Sequence, residues 1–151
     1  MPSSYLDGLK MLARRELSEA QVRERLARRG HDPASIEEAV SRLKRERALD
    51  DERVANAIAR TEATVKRRGK LRVRRQIERA GIAPATARRA VDDLFTSIDG
   101  RTLIEAALAR RLRGAARIET DAQFARLYRY LASQGFEADE IVRVLKSRSV
   151  Q

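Results

Sequence analysis

Cysteine and tryptophan are absent from this chain, histidine occurs once, and proline appears three times. Each scarcity closes a class of protein. Without cysteine there is no disulfide framework and no thiolate chemistry. A single imidazole, His31, cannot build a zinc site without thiols, so neither a metal nor a cofactor is expected. Aromatic residues make up only 4%, three Phe and three Tyr, so the core must come from Leu, Ile, Val and Ala. No stretch approaches the roughly 18 apolar residues of a membrane span. The opening MPSSYLDGLK has neither an apolar run nor a small-residue cleavage site and does not read as a signal peptide. A cytoplasmic protein with no membrane partner is expected.

Charge and helix-forming residues fill the space. Of 151 residues, 36% are charged and 42% hydrophobic, and 33 basic side chains outnumber 22 acidic ones for a net charge of +11. Arg, Ala, Leu and Glu favour helix at almost every position. The apolar residues recur at helical spacing, and no period-two run suggests a strand. The fold class is therefore all-α. The excess of positive charge points to an anionic partner: nucleic acid, an acidic protein surface, or both.

Three segments repeat: LARRGHDPASIEEAV from Leu26, IERAGIAPATARRAV from Ile77, and LASQGFEADEIVRVL from Leu131. Each has a glycine four residues after its first apolar position (Gly30, Gly81, Gly135). Small or apolar residues follow six and ten positions later (Ile36 and Val40, Ala87 and Val91, Ile141 and Leu145). Glycine just past a helix takes the left-handed conformation that ends it, and proline (Pro33, Pro84) fits the first turn of the next helix. Asp32 is the expected N-cap before Pro33. Ser18 to Gln21 and Thr120 to Gln123 read as capping boxes. A further helix precedes each pair, over about Tyr5–Arg15, Asp51–Arg67 and Thr102–Arg113, with Asp50, Asp51 and Glu52 as dipole-favoured acids at the second start. The expectation is three tandem three-helix repeats, 1–49, 50–98 and 99–151, forming an elongated, curved body. "SIDGR" (Ser97 to Arg101) is the clearest linker.

A search for catalytic chemistry finds none. No serine stands in a G-x-S-x-G elbow. "RRGKL" lacks the first glycine and the final Ser or Thr of a phosphate loop. His31 reads as a polar turn residue. The acid pairs Asp50–Asp51 and Asp92–Asp93 point about 100° apart on a helix and do not converge on one ligand. Glu19–Arg23, Glu24–Arg28 and Glu38–Arg42 are i,i+4 pairs of the sort found on any exposed helix face.

One stretch is different. VKRRGKLRVRRQIERAG, residues 65–81, holds eight basic residues and one acid, +7 of the chain's +11. If Lys70–Ala80 is a helix, Val73, Ile77 and Ala80 face the core, Arg74 lies near Glu78, and Arg72, Arg75 and Arg79 fall within about 60° of one another on an outer face. With Lys66, Arg67, Arg68 and Lys70 just upstream, they form a positive stripe. These seven residues are the candidate contacts for a filament or nucleic acid.

The ordered set LARRELSEAQVRERLARRG, ALDDERVANAIA, RRGKLRVRRQIERAGI and LYRYLASQGFEADEIVRVL, spanning about Leu9 to Leu145, resembles the RecX family of bacterial recombination regulators. The resemblance implies three tandem three-helix repeats and a monomeric, non-enzymatic modulator of homologous recombination and DNA repair. Such a protein lies in the groove of the RecA–DNA filament and inhibits its ATPase and strand exchange. Some proteins of this type also bind DNA directly, and phosphate contacts without base readout predict weak binding to single- and double-stranded DNA without sequence preference. The family carries no catalytic motif, and LRGAARIETD lengthens the link before the last helix pair. The alternative is a helix-turn-helix DNA-binding regulator, in which the helix after each glycine enters the major groove. Those helices carry charges of mixed sign (Glu37, Glu38, Arg42 and Lys44; Arg88, Arg89, Asp92 and Asp93), which suits a phosphate-lined groove poorly.

Overall fold

A computed structural model describes residues 3–112 and 117–149. Nine α-helices occur among them: α1 Ser4–Arg14, α2 Glu19–Arg28, α3 Pro33–Arg45, α4 Asp51–Arg60, α5 Lys70–Arg79, α6 Pro84–Phe95, α7 Gly100–Leu112, α8 Asp121–Ser133 and α9 Ala138–Ser147. The one β feature among the described residues is an isolated bridge between Ile118 and Ser149. None of the described helices is long and apolar enough to cross a membrane.

The helices fall into threes, and in each the first packs on the third: α1 on α3, α4 on α6, α7 on α9. Each triplet has its own core. The first is built around Leu17, Val22, Leu26, Val40 and Leu43, the second around Ala55, Val73, Ile77 and Ala87, the third around Ile104, Leu108, Leu131, Ile141 and Leu145. The positions six and ten after each repeat glycine are all buried. Phe95 and Ile98 touch both the second and third cores. The accessible surface is 9483 Å², against about 7,800 Å² for a compact monomer of this mass, as befits repeats set in a row.

Local chemistry sets the helix ends. Gly30, Gly81 and Gly135 have φ of 91°, 82° and 100°, the left-handed turn expected of them. Asp32 accepts from Ser35 N, and Asp50 from Glu52 N and Arg53 N. Ser18 and Gln21 form a complete capping box. At α8 the box is displaced: Thr120 Oγ1 accepts from Gln123 N, but Gln123 Oε1 reaches Glu119 N (2.9 Å).

Other expectations need correction. The helix opened by Asp51 does not run straight to Arg67. It passes into a π-helical turn at Thr61–Val65, and Arg67 turns the chain with φ of 57°. The proposed end of α7 at Arg113, and Gly114 to Ala116 of the lengthened link, lie outside the described residues. Arg42 pairs with Glu46 (3.0 Å) and stacks on Tyr5, not with Glu38. His31 is a polar turn residue, as expected, and it also reaches another helix. Its Nε2 lies 2.7 Å from Asp7 Oδ2, tying the turn after α2 to α1. This bond, helped by Arg29 at 3.6 Å, holds the Asp7 carboxyl below the usual aspartate range.

The repeats join through the ends of their middle helices. Ser18 Oγ, at the start of α2, donates to the carbonyl of Ala80 at the end of α5. Gly69 N and Leu71 N, at the start of α5, donate to Gln134 O (2.9 Å) and Gly135 O (3.0 Å) at the end of α8. A helix N-terminus has unpaired N–H groups and a C-terminus unpaired carbonyls, so each junction satisfies both and sets opposite ends of two dipoles together. The order of the stack is α8, α5, α2.

Candidate interface for an anionic partner

The basic stretch spans the π turn, the Arg67 turn and α5, and the structure divides its seven candidate residues into three groups. The first is the Lys66–Arg68 turn. Lys66 Nζ pairs with the buried Glu62 (3.2 Å). Arg68 is half-buried, and its Nη1 donates to Gln134 Oε1 of α8 (2.8 Å). The π turn causes this arrangement, because it brings Arg68 N back onto Glu62 O (2.9 Å) and so aims the turn at the third repeat.

The second group is Lys70 and Arg72, which the structure removes from the outward stripe. Lys70 Nζ sits 5.7 Å from the centre of the Phe95 ring. Arg72 is half-buried against Gly135, and its Nη1 donates to Ser133 O (3.2 Å). The helical wheel placed Arg72 correctly relative to α5. What it could not show is that α8 ends against that face.

The third group, Arg75 and Arg79, is exposed as expected, with no ion pair among the described residues. Arg74 pairs with Glu78 at 3.4 Å, while Val73 and Ile77 are wholly buried. Two apolar side chains stand out beside the cations: Val65 is 67% and Leu71 46% exposed. Exposed apolar side chains rimmed by charged ones are a composition found at interaction surfaces.

Elsewhere the basic residues are scattered: some are answered by acids, and others, among them Lys10, Arg45, Arg88, Arg126 and Arg143, are exposed without an ion pair among the described residues. In the first repeat Arg23 bonds Glu37 (2.9 Å) and Lys44 bonds Glu19 (2.8 Å), and Arg53 of the second repeat bonds Glu16 of the first (2.9 Å). Arg23 therefore bridges two helices and is not paired within its own alone. The outer faces of α3 and α6 keep their mixed charge, with Glu37, Glu38, Arg88, Asp92 and Asp93 exposed. Among the described residues no group of His, Cys, Asp and Glu could hold a metal ion.

Sequence reasoning missed the contribution of the third repeat. Arg110 of α7 faces the Lys66–Arg68 turn, and the neighbouring Arg111 lies over the Tyr130 ring at 4.0 Å. A signal existed: Arg110, Arg111 and Arg113 have no acid within four residues on either side.

Comparison with known proteins follows the same lines. The family profile described as RecX, first three-helix domain, matches residues 5–43. The regulatory protein RecX of Chromohalobacter salexigens is 30% identical over 135 residues, covering 89% of this chain and 86% of that one. The RecX of Halorhodospira halophila is 29% identical, covering 89% and 81%. Among solved structures, RecX from Lactobacillus salivarius superposes with a TM-score of 0.78 at 21% identity, covering 95% of this chain and 93% of that one. A second RecX crystal structure gives 0.80 at 18% identity, covering 95% and 70%; these two show a shared fold.

Proposed function

Since the chain belongs to the RecX family of regulatory proteins, we propose that it binds the RecA–DNA filament and inhibits the recombinase's ATPase and strand exchange. It acts by binding and performs no catalysis of its own, as a cytoplasmic monomer without a cofactor. The observation that carries this reading is the unneutralised surface of the second repeat. Arg75 and Arg79 stand exposed and unpaired on one face of a row of repeats, a shape suited to lying along a helical groove lined by acidic side chains and phosphate. Lys66 and Arg67 extend this surface toward the third repeat, where Arg68 and Arg72 bond α8 and Lys70 lies over Phe95. The three separate cores support unit boundaries near 49/50 and 98/99. DNA alone is bound weakly, without sequence preference and with strong salt dependence, as phosphate contacts dictate.

The test is charge reversal of the two exposed arginines, leaving out Arg72 because it packs on α8. Arg75→Glu/Arg79→Glu should leave helicity and melting unchanged and weaken inhibition of recombinase ATPase on single-stranded DNA by roughly ten- to thirtyfold. Much of that loss should appear as slower association at low salt. Arg28→Glu/Arg45→Glu, equal in charge change but on exposed positions of the first repeat, is the control. A folded Arg75/Arg79 variant that inhibits like the parent while the control fails would place the contact elsewhere. A duplex site preferred about a thousandfold over random DNA would instead favour a sequence-reading regulator.

A further inference from the structure

Between the Lys66–Arg68 turn, α7 and α8 lies a cleft of about 250 Å³ lined by Lys66, Arg67, Arg68, Arg110, Tyr130 and Gln134, with Ala107 at its side. Four of these side chains are cations and none is acidic. The one carboxylate paired to the group, Glu62, meets Lys66 from outside the lining. Arg111, stacked on Tyr130, adds a positive charge beside the cleft and fixes one wall.

Two features here are unfavourable unless an anion compensates them. Like charges gathered in a concave site repel one another, and the surrounding protein screens them less than water would. Arg68 Nε is buried and has no hydrogen-bond partner among the described residues, although its Nη1 is engaged by Gln134. Buried donors in native proteins are almost always answered. Guanidinium groups donate and never accept, so the missing partner is an acceptor. The surrounding positive charge favours an anion over a neutral acceptor. A phosphoryl group offers several oxygens in a tetrahedral array and up to two negative charges, which several guanidiniums can share. A carboxylate brings one charge and a single plane of acceptors.

We propose that this cleft is a phosphate-binding site, in which Arg67, Arg110 and the Arg68 guanidinium grip one phosphoryl group and Tyr130 forms the wall. The inference rests on reading the basic stretch as the anion-facing surface, and deepens it by assigning its upstream half to phosphate. The phosphoryl group can come from two sources, a free phosphate compound or the backbone of a polynucleotide.

The experiment follows arginine Nε–H resonances of the whole chain by NMR. Pyrophosphate, an unphosphorylated oligothymidylate and acetate are titrated separately at constant ionic strength. Pyrophosphate should shift the Arg68 resonance saturably and leave Arg75 and Arg79 in place. Arg110→Gln, on an exposed helical position, should weaken that response about tenfold, whereas Arg28→Glu/Arg45→Glu should not. If the oligothymidylate acts on Arg68 at lower phosphate concentration than pyrophosphate does, the source is a polynucleotide backbone; the reverse order assigns a free phosphate compound. The proposal is overturned if Arg68 does not respond, if acetate moves it as well as pyrophosphate does, or if all exposed arginines shift in parallel. The filament reading fails separately. An unmoved Arg68, with recombinase inhibition still lost in Arg75→Glu/Arg79→Glu, removes the cleft and leaves the filament contact standing.

Discussion

Where the first repeat meets the second, a side chain makes the bond. Ser18 Oγ, wholly buried, donates to the Ala80 carbonyl, and the Asp51 carboxylate accepts from Glu19 N at 2.9 Å. Where the second meets the third, main chain bonds main chain: Gly69 N to Gln134 O and Leu71 N to Gly135 O. The two junctions are otherwise alike, the first turn of one middle helix seated on the last turn of the next. The difference explains a residue choice that propensity would not. Ser18 and Gly69 occupy the same cap position, yet α5 begins on a glycine with no side-chain cap bond. A Cβ at Gly69 would come within 2.5 Å of the Gly135 carbonyl carbon and Phe136 N. The second junction forgoes its capping side chain to let two backbones touch.

This contrast can be broken most forcefully at Gly135. Alanine there would combine a positive φ with overlap against the Arg72 main chain, so Gly135→Ala should destabilise by about 2–5 kcal/mol in urea unfolding. Gly69→Ala carries the overlap without the strained φ and should cost about 1–3 kcal/mol, with loss of amide protection at Leu71. An unchanged melt for both would mean the two backbones do not touch.

At the first junction the obstacle is a side chain. A Cβ on Gly81 would overlap the Ala20 methyl, and Ala20→Gly removes it. A double-mutant cycle between Gly81→Ala and Ala20→Gly should therefore show about 1–3 kcal/mol of favourable coupling. Zero coupling would contradict the seat of α5 on α2. No equivalent rescue exists for Gly135, where the obstacle is backbone.

Ser18→Ala removes both a helix cap and the bond to Ala80, and should lower stability by about 1–2 kcal/mol. Gly30 sharpens the comparison from the other side. Nothing lies within 4 Å of a Cβ placed there, so Gly30→Ala should cost only its backbone strain, about 1 kcal/mol. A loss as large as that at Gly135 would mean something seats on the end of α2 after all.

The smallest effect is acid–base. Burial, with the charge of Glu19, raises the Asp51 carboxyl above its ordinary value of 3.8, offset in part by the Glu19 N–H and Lys44. A raised carboxyl destabilises the folded state when ionised, and this penalty disappears as pH falls through the native value. Asp51→Asn should therefore gain slightly on the parent in urea unfolding at neutral pH, and the gain should shrink as pH falls through the native Asp51 value. A difference that does not change with pH would separate Asp51 from the effect.

Much of this was legible in the sequence because it is local. Three glycines followed by apolar residues at fixed offsets specify helix, left-handed turn, helix, and Asp32, Asp50 and Ser18 mark their own helix starts. The candidate surface was half legible. Charge count found the stretch and the wheel found Arg75 and Arg79, because both follow from neighbours in the chain. Arg72, Arg110 and the partner of His31 were hidden for one reason: each is defined by a contact with an element far along the chain. The π turn was hidden too, since nothing in Thr61–Val65 announces a change of helical hydrogen bonding.

Joints made from helix ends turn helix length into a gauge. α5 is held at both ends, so its ten residues, about 15 Å of rise, fix the distance between the first and third repeats. Losing or gaining one residue there would shift one joint by about 1.5 Å and swing it by about 100°. α8 is seated at its C-terminal end and can be longer; it has thirteen residues. The π turn follows α4, outside the stack, and a π turn is how a helix absorbs an inserted residue. Insertions and deletions are therefore tolerable in the flanking helices and ruinous in α5, whatever their effect on helix propensity.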